Sequence, residues 1–531
     1  MPHSPVVLVA ATVLLAACGG PTPPPTGPSP RLPVPVPERL RYEPMTPSLP
    51  AIPETAGALD IRVVHPTPTT PRPRVDSAYV YGSVGRGDAA LSINGRAVPV
   101  AANGAFLAFL PMPADGVWRL TAHAGGGHDT QDLAYAPPPA ATGAAATPAG
   151  GAPSGVFASP SIGVVTGGSD TLATGSDAIY ARPTPTGTYR WFFPRGARLS
   201  VVERRGDQYR VQLDPATSAW INTSAVSLDP PGATPPSSGI AVVRPVAGGY
   251  EVRMPVLWRP FLVEAGDTSL SVTVYGPRPA GGLLQGALAA GETYVRGFGH
   301  QPVEGGVVYS LSLASAPWGY RAWYEEDGDL VLRVRRPPDI DAAQPLRGRR
   351  IVVDPGHPPG GATGPTGLTE AEANLAIATR LAEKLRARGA EVHMTRTTME
   401  SVELAPRAEM ALRLDAELFV SVHNNAFGEG VNPFRNHGTS TYSFHPFSAP
   451  LARALDREIA AVTGIPDLGA KFGNFAVIRP TWYPSALTES LFMLIPEQEA
   501  ALRDPAFLDR LAEAHARGIE AFLRERAEGQ R

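Results

Sequence analysis

The chain has 531 residues, too many for one ordinary core and enough for roughly three or four domains. Its 55 glycines and 59 prolines are a heavy load for a globular protein, and most of the excess precedes Arg349. A formal net charge of -3 provides no basic stripe to neutralise phosphates, which argues against nucleic acid as a partner.

Residues 1–18 come first. Val6 to Ala17 is an apolar run broken only by Thr12, too short to span a bilayer and suited to the core of an export signal. It leads into Leu15-Ala16-Ala17-Cys18, followed by Gly19-Gly20. Cys18 is the only cysteine, so an internal disulfide is excluded. The tetrapeptide resembles a lipobox, where bacterial signal peptidase II cuts before a lipid-modified cysteine. That resemblance implies acylation of Cys18 and a firm membrane anchor. Gly19, in place of the aspartate that signals inner-membrane retention, implies an outer-membrane anchor facing the periplasm. A soluble periplasmic or extracellular protein is the alternative.

Residues 19–58 are proline-rich, as in Pro21-Thr22-Pro23-Pro24-Pro25, and favour an extended spacer that cannot bury a core. Over 59–136 short alternating apolar runs, with turn signals at Asn94-Gly95 and Asn103-Gly104, predict a small β module that resembles a bacterial immunoglobulin-like unit. Residues 137–169 read as an Ala/Pro/Gly-rich linker. Residues 170–229 resemble a bacterial SH3-like module, and 239–340 read as an accessory β domain. Wall or division-site partners of such modules are an expectation from fold analogy alone. The aromatics Trp258, Trp318, Tyr320 and Trp323 suit either sugar stacking or, more commonly, a core.

From 349 to 531 strands and helices alternate. Ile351-Val352-Val353 reads as a buried strand, and Thr369-Glu370-Ala371-Glu372 as a capping box opening a helix with Ile377, Leu381 and Leu385 on one face. Strands are expected at Val392–Met394, Leu418–Val422, Thr441–Phe444 and Ala486–Thr488, with helices near Ala405–Leu414, Ala449–Val462 and Pro505–Arg524. The fold class is therefore multidomain: a C-terminal α/β domain, a mixed sheet flanked by helices, preceded by small all-β modules.

His357 follows the first of these strands, Glu370 opens the first helix, and His423 ends the Leu418 strand. Strand ends and helix starts meet at one edge of an α/β sheet, where sites form. Two imidazoles and a carboxylate are a common zinc set that leaves a position open for water. Taken singly, each has a plainer reading: His357 as a turn residue, and Glu370 as a partner of the helix dipole.

Together these residues resemble the zinc-dependent N-acetylmuramoyl-L-alanine amidases of the cell-separation and sporulation type. The matching motifs are Ile351-Val352-Val353-Asp354-Pro355-Gly356-His357, Gly367-Leu368-Thr369-Glu370, Ser421-Val422-His423-Asn424-Asn425-Ala426 and Pro484-Ser485-Ala486-Leu487-Thr488-Glu489. The resemblance covers only the last third of the chain. It implies one zinc ion on His357, Glu370 and His423, and Glu489 as general base and acid. The implied substrate is peptidoglycan, cut at the amide between N-acetylmuramic acid and L-alanine in cell separation or wall remodelling. Glu372 competes for the ligand role, but its place in the capping box favours Glu370. His393, His437 and His445 are given no chemistry, and Arg396 and Arg407 are left outside the site. Two positions depart from the family pattern: Pro358-Pro359 after the first histidine, where glycine is usual, and Thr488, where an aliphatic residue is usual. The short connection from His423 to Thr441 leaves no room for an inhibitory helix, so a site open without an activator is expected. Two other readings remain: a degenerate domain that only binds the wall, and a zinc peptidase that cuts within the stem peptide.

Overall fold

The computed structural model describes residues 49–136, 154–167, 178–229, 239–276, 284–286 and 288–529. Cys18, the export signal and most of both expected linkers lie outside the described residues.

Three β units precede the C-terminal domain. The first packs a sheet of strands 62–65, 77–83 and 105–111 against one of 90–93, 96–98, 117–124 and 127–134. Val80, Phe106, Trp118 and Leu120 fill the space between the sheets. Asn94 and Gly95 both take positive φ, which a two-residue hairpin turn requires. In the second unit a five-stranded sheet runs in the order 218–222, 208–212, 198–205, 155–165, 226–229. The strand Gly155–Val165 falls inside the linker expected over 137–169. Its composition is linker-like, but its backbone pairs with a strand on either side, and those hydrogen bonds do not depend on side-chain type. The third unit, 241–335, is a second two-sheet sandwich around Val252, Leu270, Val272 and Leu332. Of its aromatics, Trp318 and Tyr320 are buried and serve the core, while Trp258 and Trp323 are half-buried.

The C-terminal domain contains β1 (Arg350–Pro355), α1 (Glu370–Ala387), β2 (Glu391–Met394), α2 (Leu404–Arg413), β3 (Leu418–Asn425), β4 (Thr439–Ser443), α3 (Ala449–Thr463), β5 (Asp467–Phe472), β6 (Ser485–Phe492), α4 (Pro496–Ala501) and α5 (Pro505–Glu528). The sheet order is β2-β1-β3-β6-β4-β5, parallel except where β4 runs antiparallel to β6. Helices α1, α3 and α5 cover one face, sharing a core with Ile351, Val353 and Val420. Helix α2 and a short turn at Ala476–Ile478 cover the other face, against Val352, Phe419 and Leu487. The expected helices and strands are present, with ends moved by a few residues. Strand β5 had no sequence signal: Asp467-Leu468-Gly469-Ala470-Lys471-Phe472 lacks alternation because it is a largely exposed edge.

The start of α1 forms as its sequence demands. Thr369 Oγ1 accepts from the Glu372 amide while the Glu372 side chain accepts from the Thr369 amide at 2.9 Å, a reciprocal cap. Ile377, Leu381 and Leu385 then line the buried face. Gly389 follows with φ of 89°, donating to the Arg386 carbonyl and ending the helix.

Candidate active site

The carboxyl ends of β1 and β3 and the first turn of α1 converge at one sheet edge. His357 lies just beyond β1, Glu370 is the first residue of α1, and His423 is near the end of β3. One donor atom from each can be chosen so that all three lie within 4.8 Å of one another. His357 Nε2 is 3.3 Å from Glu370 Oε2, and His423 Nδ1 is 3.1 Å from Glu370 Oε1. Ligands at about 2.0–2.1 Å from a tetrahedral zinc ion lie roughly 3.4 Å apart, so these spacings suit a shared cation. The donors fit as well. His357 Nδ1 donates to the Pro359 carbonyl at 3.0 Å, which fixes the tautomer and leaves the buried Nε2 without a hydrogen bond among the described residues.

Close packing holds the rings in place. A Cβ on Gly356 would fall 2.2 Å from the His423 ring, so only glycine lets that imidazole lie against the β1 turn. His357 itself has φ of 55°, a left-handed conformation uncommon for a residue with a side chain. Two arginines hold that turn. Arg407 donates to the carbonyls of Pro355 at 2.7 Å and Pro358 at 2.9 Å, and to Asp354 at 2.7 Å. Arg396 donates to the carbonyls of Pro355, Gly356 and Ala371. Sequence reasoning left both outside the site because most of their acceptors are backbone carbonyls of distant segments, and the one side-chain acceptor, Asp354, is 53 positions from Arg407. Asp354 also accepts from Thr395 at 2.5 Å and Ser421 at 2.6 Å. Burial alone would raise its carboxyl, but the Arg407 charge and these hydrogen bonds hold it below the usual range.

Glu370 is fixed on both oxygens. Oε2 accepts from the Ala362 amide at 3.0 Å, and Oε1 accepts from Asn374 Nδ2 at 3.3 Å. Asn374 in turn accepts from Asn424 Nδ2 at 2.9 Å, tying α1 to β3. Burial works to raise the Glu370 carboxyl, yet the two histidines outweigh it and keep it well below its ordinary value. Glu372 instead spends its carboxylate on Thr369.

Glu489 stands opposite His423 in the register between β6 and β3, which puts both side chains on one face of the sheet. It is buried, and its Oε2 has no hydrogen-bond partner among the described residues. Burial, then the nearby charge of Glu370, pushes its carboxyl well above the usual range. A buried carboxyl of this kind beside a cation site suits proton transfer. The other histidines lie apart: His393 pairs with Glu391, His437 with the Pro433 carbonyl and His445 with the Arg479 carbonyl. The departure at Thr488 has a structural partner, since its hydroxyl lies 3.0 Å from Nε2 of His515 on α5.

A buried cluster of two histidines and a glutamate, with a second carboxyl beside it at the edge of an α/β sheet, defines the class: a hydrolase domain built around a metal-type site. Residues 351–521 match the family described as N-acetylmuramoyl-L-alanine amidase. The amidase CwlM of Bacillus licheniformis is 32% identical over 177 residues, covering 32% of this chain and 67% of that protein. The amidase LytC of Bacillus subtilis strain 168 is 33% identical over 186 residues, covering 34% of this chain but only 36% of that relative's length. Among solved structures, the catalytic domain of the amidase CwlV from Bacillus (Paenibacillus) polymyxa var. colistinus is 34% identical, covering 33% of this chain and 98% of that one, with a TM-score of 0.31. Through its C-terminal domain, the chain belongs to the N-acetylmuramoyl-L-alanine amidase family.

Proposed function

We propose that the protein is a cell-wall amidase that hydrolyses the bond between N-acetylmuramic acid and L-alanine in peptidoglycan, using one zinc ion held by His357, Glu370 and His423. A zinc ion there would supply Lewis-acid chemistry, acidifying a water and polarising the scissile carbonyl. The chain's own residues do the rest. Glu489 takes the proton of the attacking water and delivers one to the departing L-alanine amine. The Pro359 carbonyl and the Ala362 amide keep His357 and Glu370 aimed, so that little reorganisation is needed during reaction. The observation that carries this reading is the register of Glu489 beside His423, with a buried carboxyl whose Oε2 has no hydrogen-bond partner among the described residues.

The decisive experiment digests purified peptidoglycan with wild type and Glu489→Ala and identifies the products by mass. Stem peptides with free L-alanine amines are expected from wild type, and loss of the carboxyl should slow their release by about 10²–10⁴-fold. A cut inside the peptide would replace this reading with a peptidase.

Wall or division-site partners of the β units belong to the same proposal and rest on fold analogy. Export and anchoring through a lipid on Cys18, at the outer membrane facing the periplasm, belong to the proposal too and rest on the apolar leader and the lipobox resemblance at Leu15-Ala16-Ala17-Cys18. Among the described residues no helix is long and apolar enough to cross a membrane. Cys18→Ser should move the protein from the membrane fraction to the soluble fraction; unchanged fractionation would refute the anchor.

A further inference from the structure

The first β unit contacts two segments of the catalytic domain that adjoin residues of the metal-type cluster, and one strand makes the decisive contacts. In the strand Ser77–Ser83, Ala78 and Val80 point into the unit's own core. Alternation therefore sends Tyr79 and Tyr81 to the opposite face, which in an isolated module would meet water. Here they are only 5% and 6% exposed, because both belong to the core of the catalytic domain together with Leu107.

Their hydroxyls have specific acceptors. Tyr81 donates to the Thr363 carbonyl at 3.1 Å. Thr363 adjoins Ala362, whose amide holds Glu370 Oε2 and whose carbonyl accepts the Glu370 amide at 2.8 Å. Tyr79 donates to the Phe427 carbonyl at 2.7 Å, four residues beyond His423. The Phe427 ring stacks on Phe492 of β6 at 4.2 Å between centroids, three residues beyond Glu489. His65 extends the same contact: its ring lies 4.9 Å from that of Tyr79, and its Nε2 pairs with Glu429 at 2.8 Å. One strand thus braces the segment that presents Glu370 and the segment that leaves His423.

We infer that Tyr79 and Tyr81 are positioning residues for the metal site, and that the first β unit is a structural part of the active centre rather than a module merely tethered to it. This rests on the proposed zinc reading only for its functional consequence. Replacing either tyrosine by phenylalanine keeps the ring packed and removes one donor, leaving a carbonyl unpaired beside the site.

The test compares full-length wild type, Tyr79→Phe, Tyr81→Phe and the double variant, with Tyr250→Phe as control. Tyr250 donates to Glu292 at 2.6 Å within the third β unit, so the control makes the same chemical change away from the cluster. Zinc affinity is measured by competition with a chromophoric chelator, and hydrogen exchange is followed at residues 362–370 and 426–431 without metal. Partners of metal ligands typically contribute 10–100-fold in affinity. Acting one contact further out, each single variant should weaken zinc binding by about threefold to tenfold. Exchange should quicken at 362–370 in Tyr81→Phe and at 426–431 in Tyr79→Phe, with kcat reduced and KM unchanged. Tyr250→Phe should match wild type in all of these. If the double variant fails to fold, the single variants still decide. If wild type binds zinc and the tyrosine variants bind it equally, with exchange unchanged, the inference is overturned. If wild type binds no zinc, the zinc reading falls, and the metal-free exchange pattern still judges the bracing.

Discussion

Single residues carry more of this site than its ligand motif suggests, and Thr488 is an instructive case. Its hydroxyl lies beside His515, whose other nitrogen, Nδ1, donates to the Leu511 carbonyl at 2.8 Å. Nε2 is therefore an acceptor, and Thr488 supplies its proton. Burial holds the His515 pKa down at about 4, so the ring is neutral and needs a donor, not a counter-ion. Thr488→Val preserves the shape and strands that nitrogen, so urea unfolding should show a loss of about 1–3 kcal/mol. Adding His515→Leu removes the orphan and should recover much of the loss. Equal stability of wild type and Thr488→Val would show that the hydroxyl does not serve His515. In sequence Thr488 could only be noted as an oddity, because its partner is 27 positions away on another element.

At the scale of elements, the amino end of α1 gives its two glutamates different surroundings. Glu370 and Glu372 both lie in the first turn, where either would favour the helix dipole. Only Glu370 faces the two histidines; Glu372 closes the cap on Thr369. Glu370→Ala should abolish stoichiometric zinc binding, measured by metal analysis after dialysis. Glu372→Ala should retain the metal and lose about 1 kcal/mol of stability, as cap removal does. Metal loss on replacing Glu372 alone would reverse the assignment. The cluster itself was legible because β1, α1 and β3 each bring one of its three residues at or just past a predictable terminus, so local patterns and sheet-edge geometry suffice. The bracing elements were not legible in the same way. Arg396, and Arg407 apart from its bond to Asp354, act on backbone carbonyls, which leave no trace in side-chain spacing. The strand Gly155–Val165 was hidden by a composition that resembles its flanking linker.

For the whole molecule, the question is whether the β units hang from the catalytic domain or are built into it. Tyr79-Val80-Tyr81 reads as an ordinary alternating strand, and nothing local reveals that its outer face is also covered. The third unit is joined just as closely. Trp318 Nε1 donates to the Glu417 carbonyl at 3.0 Å, and Arg335 donates to the Ala416 carbonyl at 2.6 Å. The Tyr320 amide donates to the Thr481 carbonyl at 2.7 Å, while Thr481 Oγ1 returns a bond to the Tyr320 carbonyl at 2.7 Å. This exchange needs close backbone approach at Gly319, where a Cβ would lie 2.3 Å from the Trp482 carbonyl oxygen and 2.7 Å from that of Thr481. Both obstacles are main-chain atoms, so Gly319→Ala must push the two domains apart. An overpacking cost of about 2 kcal/mol corresponds to roughly 4–8 °C in a domain of this size. Calorimetry should therefore show the catalytic domain melting that much lower and separating from the third unit, where wild type melts both together. A Gly319→Ala thermogram that overlays wild type would mean the units are only tethered, because a true interface has no space for the added methyl group.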